Sequence, residues 1–377
     1  MKKNIILLVA GLTFASGLFS QENNKKFYAK VSQNTVDSAT LKNALEIENG
    51  LFLNRSIGGT TAYRMPQTST FKGTGVELGS SFKHSGLLQT NVGFFFANLS
   101  SGNQQAIDYS KITFSSGTGS SATSIRSEGT AVSEFTSNRL QTARIELVEN
   151  IQFLHDSQNQ FLKGFGARVG FEIYGNEVKS TSPYYYGNSS ATTSSSSGTS
   201  TTGGNFFSVT SIEKLKYNEG FANGVLGLAY AVSINEKHKI DLGADYFKSF
   251  ANAGKYTSET TSLLIIPSAS GSGSALPMTT KLTGDVKTEL VGNRLSFGYT
   301  YQATESVSIR FTYQTTHSTH KVVDSKVKEP GNFFTLLSGS GSAGILPFLL
   351  GGQPGFGPFP ENKDVRSQVG LEVAYHY

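Results

Sequence analysis

The chain ends on residues 368–377, QVGLEVAYHY. Val369, Leu371, Val373, Tyr375 and Tyr377 alternate with Gly370, Glu372, Ala374 and His376. Side chains on a strand point to opposite faces in turn. This segment is therefore a strand with one apolar face, and the face opposite carries a carboxylate.

The same period of two runs back through the sequence. VSIRFTYQ places Val307, Ile309, Phe311 and Tyr313 on one face, with Ser308, Arg310, Thr312 and Gln314 on the other. RLSFGYTYQ sets Leu295, Phe297, Tyr299 and Tyr301 against Arg294, Ser296, Gly298 and Thr300. FGARVGFEIY and VLGLAYAVSI behave likewise. Short polar links join these strands in pairs, at 83–86, 155–160, 234–238 and 303–306. Long Gly/Ser/Thr-rich stretches separate the pairs, at about 100–137, 179–206, 255–284 and 324–363.

Composition agrees with strands that are apolar on one side. Only 37% of the 377 residues are hydrophobic, yet there are 27 Phe, 16 Tyr and 41 Gly. Cys is absent, which excludes a disulfide framework. The formal charge of +5 includes Lys2 and Lys3, and the excess is too small to indicate a nucleic-acid partner. Those lysines open MKKNIILLVAGLTFASGLFS, residues 1–20, which has the layout of a signal peptide. Beyond it no run of eighteen apolar residues exists, so a transmembrane helix is not expected.

Alternating strands, short and long connections in turn, and a terminal aromatic resemble a Gram-negative outer-membrane β-barrel protein over about residues 45–377. Phe is the usual last residue of such chains, and Tyr377 departs from that. The resemblance implies an all-β fold: a transmembrane antiparallel up-and-down β-barrel with short periplasmic turns and long extracellular loops. It implies outer-membrane lipid and the barrel-insertion machinery as partners, and it makes Val369, Leu371, Val373, Tyr375 and Tyr377 the insertion signal. A closed barrel also satisfies the requirement that every backbone polar group be paired within the bilayer. Nine strands are clear between residues 71 and 377; an even count needs one more, and ALEIENGLFLN at 44–54 is the best candidate. About ten strands are expected, or twelve if 109–116 and 124–136 form a further membrane hairpin. The domain reading is a signal peptide at 1–20, a periplasmic segment at 21–43 and the barrel at 44–377.

The face away from lipid collects charges of both signs: Glu77, Arg144, Glu146, Arg168, Glu172, Asp241, Asp245, Arg294, Arg310 and Glu372. They line a selective conduit or fill a narrow barrel with ion pairs; both readings stay open. His317 and His320 are an odd number of residues apart and point to opposite faces of a strand, which argues against a metal pair. No Ser/His/acid spacing stands out, so no catalytic set, cofactor or metal is expected. Two stretches expected to be loops are apolar: Leu263, Leu264, Ile265 and Ile266, and Ile345, Leu346, Phe348, Leu349 and Leu350. Such patches mark interactions; here they are expected to pack as a lid or a groove over the outer mouth.

The leading functional expectation is a narrow, loop-gated, porin-like channel for a small solute, including apolar solutes. The alternative is an adhesin or ligand-binding barrel that acts through its long loops. A weaker one is an outer-membrane hydrolase.

Overall fold

The computed structural model describes residues 25–52, 69–116, 123–159, 161–195, 198–203, 208–266, 274–329 and 359–377. Residues 1–20 lie outside these.

Ten strands form a closed wall. They are β1 (Lys25–Asp37), β2 (Thr70–Lys83), β3 (Leu88–Ser100), β5 (Thr123–Ile151), β6 (Phe165–Ser195), β8 (Ser208–Ser233), β9 (His238–Ile266), β10 (Ser274–Gln302), β11 (Val307–Glu329) and β12 (Glu361–His376). Two more, β4 (Gln104–Ser116) and β7 (Gly198–Gly203), extend the sheet beyond the ring. Neighbours are antiparallel throughout. The ring closes where β1 pairs with β12, from Lys26 opposite His376 to Asp37 opposite Val365. Lys25 and Tyr377 exchange backbone hydrogen bonds of 3.1 and 3.0 Å at that seam.

The first strand is not where the sequence suggested. Residues 21–43, read as a periplasmic segment, contain β1. Its outward face holds Phe27, Ala29, Val31, Gln33 and Thr35 and its inward face holds Lys26, Tyr28 and Lys30, so the apolar alternation is weak. Of residues 44–54, read as a strand, 44–52 belong to a helix, α1 (Ala39–Phe52), and the last two lie outside the described residues. Leu41, Ala44 and Leu45 repeat at helical spacing. Ser38 caps the helix: its Oγ accepts from the Leu41 N–H at 3.3 Å. The total of ten membrane strands stands, with β1 in place of 44–54. The hairpin β4–β5 pairs above the end of β3 and adds no membrane strand.

The stretches expected to be long loops are largely strand. β6, β8, β9 and β10 run for 26 to 31 residues, far more than the roughly 10 that cross a bilayer. Alternate Thr and Ser residues suit a solvated strand pair as well as a loop, which is why composition alone misreads them. Leu263–Ile266 lie in β9, paired with Ser274–Pro277 of β10. Leu263 is exposed. Ile345, Leu346, Phe348, Leu349 and Leu350 lie outside the described residues.

Outside, the wall carries a belt of exposed apolar side chains: Phe27 and Val31, Leu78, Phe94, Val169 and Phe171, Leu226 and Leu228, Leu242, Leu295, Phe311, Leu371 and Val373 among them. From Phe165 to Ile173 the belt is about 20 Å tall, taking a usual strand rise and barrel tilt. Water would penalise so continuous an apolar surface, and hydrocarbon would not.

Inside, above the belt, sits a dry core. Leu41, Ala44, Leu45 and Ile47 of α1 pack against Phe71, Leu99, Leu140, Val178, Tyr217, Tyr256, Val286 and Val322 of the wall. The helix leaves the top of β1 and folds back into the mouth. Burial of each large apolar side chain contributes about 1.5–3 kcal/mol, which holds it there.

Candidate functional site

The barrel interior has three levels. At the top, α1 fills the mouth. Its first turn is anchored to the wall by two carboxylates. Thr40 Oγ1 donates to Glu219 Oε1 at 2.6 Å, and the Ala39 N–H donates to Asp364 Oδ2 at 3.2 Å. Negative charge at a helix N-terminus is favoured by the free N–H groups there. Glu219 Oε1 also accepts from Asn176 Nδ2 at 3.2 Å and lies 2.9 Å from His320 Nδ1. The Tyr217 hydroxyl donates to Oε2 at 3.2 Å. Asp364 is gripped by Arg366 at 2.5 Å, and the Arg366 guanidinium lies over the Tyr174 ring at 5.0 Å.

Below lies a layer of paired charges. Arg294 bonds Glu172 and reaches Glu146 at 2.8 Å and Asp245 at 3.9 Å. Arg168 bridges Asp245 at 2.8 Å and Glu146 at 3.2 Å. Arg144 lies 3.7 Å from Glu77 and from Glu146 and 3.9 Å from Glu172. Lys30 holds the other side of Glu77 at 2.6 Å. Arg310 pairs with Asp241 and lies 3.4 Å from Glu372, which Lys26 also meets at 2.5 Å. All ten charged residues named from the sequence therefore face the lumen and meet one another. Lys26 and Lys30, on the strand that alternation did not reveal, complete the set. Each cation contacts at least one carboxylate, which makes burial of the group tolerable.

Glycines make room for these long side chains. A Cβ on Gly298 would stand 2.5 Å from Arg310 Nε and from Asp241 Oδ2. One on Gly79 would stand 2.3 Å from the Tyr28 ring, whose hydroxyl donates to Glu77 Oε1 at 3.0 Å. A narrow barrel is filled by its own side chains, and a residue without one leaves space for a neighbour's charged group.

The lowest level is a cavity of about 510 Å³. Lys26, Tyr28, Gln89, Asn91, Asp241, Gln302 and Arg310 line it, and so do Asn235, Glu236 and Lys237 of a short turn. It thus reaches the end of the barrel where the short turns lie. Between the charged layer and α1 a void of only about 60 Å³ remains, lined by Arg294, Arg144, Tyr174 and Ser318. Among the described residues no cluster of three His or acidic side chains could hold a metal ion. Val369, Leu371, Val373, Tyr375 and Tyr377 all lie on the outward face, and the last two rings stack at 5.9 Å.

No family model matches the chain, and no curated protein matches it. Among solved structures it is similar to the outer membrane protease OmpT from Escherichia coli, with 9% identity over 95% of this chain and 98% of that one and a TM-score of 0.39. It is also similar to CarO of Acinetobacter baumannii, with 8% identity over 92% and 97% of the two chains and a TM-score of 0.24. A third is the toluene transporter TodX of Pseudomonas putida, with 10% identity over 95% and 90% and a TM-score of 0.23. Likenesses this distant carry nothing about activity. The chain's own wall decides its class: closed on ten strands, apolar outside and charged within, it is a transmembrane β-barrel of the outer-membrane type.

Proposed function

We propose that this barrel is a gated conduit of the outer membrane and that α1 is its gate. One observation carries the reading: α1 occupies the mouth of a barrel whose opposite end holds a polar cavity of about 510 Å³. A wall needed only as an anchor has no use for such a vestibule. The lining is hydrophilic, so it supports a small polar or charged solute rather than an apolar one. Passage requires α1 to leave the mouth and the charged layer to rearrange. The ends of Lys and Arg side chains are flexible enough for that once water enters.

Planar-bilayer recording tests the proposal. The native protein should sit mostly at a closed level with rare small openings. Replacing 39–52 by a Gly/Ser linker should give a steady, larger conductance. Inserted barrels that pass neither ions nor small solutes in either form would overturn it.

The extracellular extension of β4–β11 supports a second reading, a surface-display barrel. Its test is to shorten the β9–β10 hairpin to the belt and assay attachment to surfaces or cells. Unchanged attachment and unchanged conductance would remove any role for that extension.

A further inference from the structure

One cation of the lower cavity is left out of the pairing above it. In the charged layer Lys26, Lys30 and four arginines meet six carboxylates, and the two sets balance. Lys239 of β9 stands below that layer, lines the cavity and is exposed there. Among the described residues no carboxylate forms an ion pair with its ammonium. Asp241, two residues on and on the same face, is held by Arg310 instead. Asp241 attracts Lys239 from a distance, while Arg310, Lys26 and Lys83 repel it. Lys26 and Lys83 belong to β1 and β2, four and five strands round the ring from β9, so they act across the lumen.

Three strands away, on β5, the wall of the same cavity holds polar groups without partners. The Asn150 carboxamide lines it, and its Oδ1 has no hydrogen-bond partner among the described residues. Gln152, just past the end of β5, lines it too, and its side chain makes no hydrogen bond among the described residues. Asn150 is one residue from the end of β5 and Lys239 one residue from the start of β9. Both therefore stand at the same depth, beside the short turns. Between them the wall is bare where Gly164 and Gly166 face the cavity.

These groups select a chemistry. An ammonium takes a carboxylate through charge-assisted hydrogen bonds. A carboxamide both donates and accepts, which suits a hydroxyl group. Glu236 and Lys237 of the lining turn cancel, so one unmatched cation remains among the lining residues, and a single negative charge answers it. Adjacent strands stand about 4.8 Å apart, so Asn150 and Lys239 are about 14 Å apart along the wall. A bare carboxylate or an inorganic phosphate is too short to touch both sides. An organic acid with a hydroxylated body spans what the lysine side chain leaves open.

We propose that the lower cavity binds a small hydroxylated monocarboxylate, with Lys239 taking the carboxylate and Asn150 and Gln152 the hydroxyl groups. As the solute class of the conduit, this rests on the barrel being one. As a binding site it does not, because the cavity opens at the short turns and α1 need not move.

The test titrates glucuronate into the protein in uncharged detergent, by calorimetry, and compares glucose, propionate and inorganic phosphate. Native protein should bind glucuronate at least about tenfold more tightly than any of the other three, from the usual contribution of one charged hydrogen bond. K239Q should weaken glucuronate roughly tenfold and leave glucose unchanged. K239R should stay within about threefold of native, since it keeps the charge. N150A/Q152A should weaken glucuronate about fivefold and leave propionate unchanged. K287Q, on the outer wall, should change nothing. Glucuronate binding that K239Q does not alter overturns the proposal, and so does glucose or phosphate binding as tight as that of glucuronate. Reversal potentials across a potassium chloride gradient, with 39–52 replaced by the Gly/Ser linker, give a second reading. Chloride should be favoured over potassium, and K239E should reduce that preference; a potassium preference unmoved by K239E overturns the proposal. A barrel that binds glucuronate through Lys239 and never conducts would remove the conduit and leave the binding site standing.

Discussion

Thr40 and Glu219 meet across the barrel mouth: the hydroxyl in the first turn of α1 donates to a carboxylate on β8 at 2.6 Å. The bond ties a helix to the far wall, and both groups are buried. A hydrogen bond to a charged group contributes about 1.5–3 kcal/mol. Thr40→Val keeps the shape and removes the donor. Glu219 retains Asn176, His320 and Tyr217, so the wall should not suffer. The undocked population of α1 should rise about tenfold to a hundredfold. A cysteine at Leu45 reads this directly, since the chain has none of its own. Labelling by a water-soluble thiol reagent should quicken by that factor, and an unchanged rate would show that Thr40 does not hold the helix.

Arg294 answers to three carboxylates, Glu146, Glu172 and Asp245. Arg294→Met leaves buried Glu172 with Asn223 Nδ2 at 2.9 Å and Arg144 only at 3.9 Å. Removing one member of a buried charge set costs about 3–5 kcal/mol. Urea unfolding of the variant in detergent should show that loss. Adding Glu172→Gln should restore part of it. A double variant no more stable than the single one would mean that Arg294 and Glu172 are not coupled.

Gly298 is fixed by close approach. Gly298→Ala drives a methyl group into Arg310 and Asp241 and should cost about 1–3 kcal/mol. Gly224→Ala is the control, because nothing lies within 4 Å of its Cβ position. It should be neutral or slightly stabilising. Similar melting temperatures for the two variants would contradict the crowding.

The two faces of the wall should respond oppositely to new charge. Val169 lies in the outer belt and Thr300 lines the inner cavity. Val169→Arg should destabilise the barrel by about 2–4 kcal/mol if it sits at the bilayer centre. Thr300→Arg should cost well under half of that, because water reaches the cavity. Unfolding in lipid vesicles decides it, and equal losses would reverse the assignment of faces.

Period-two alternation is a strong signal where one face meets lipid and the other meets charge, as in 295–301 and 307–313 against Arg294 and Arg310. Those strands, their pairing and the charged inner face are legible without coordinates. The signal fails at Lys25–Asp37, where Ala29, Gln33 and Thr35 dilute the outer face. It misleads at 44–54, where Leu45 and Ile47 fit one face of a strand and are instead buried residues of α1. No local pattern reveals that α1 turns inward, because its partners, such as Tyr217 and Val322, come from strands far along the chain. The anchor at Glu219 shares that cause: His320, Thr40 and Asn176 converge only once the ring has closed. Beyond the belt the strands are rich in Thr and Ser and carry only scattered apolar residues, such as Val178, Leu215 and Tyr217, so sequence offers a faint phase to follow.

The seam between β1 and β12 joins the two ends of the chain, and α1 begins two residues after β1 stops. The helix therefore never has to be threaded into a finished ring. A sheet that grows from β2 to β12 is still open along one side, and β1 arrives there carrying the helix with it. Zipping Lys26–Asp37 onto Val365–His376 encloses α1 and removes the ring's two unpaired edges in a single event. Wall and plug are then completed together, and a chain whose first strand fails to pair is left with an open sheet and an empty interior at once.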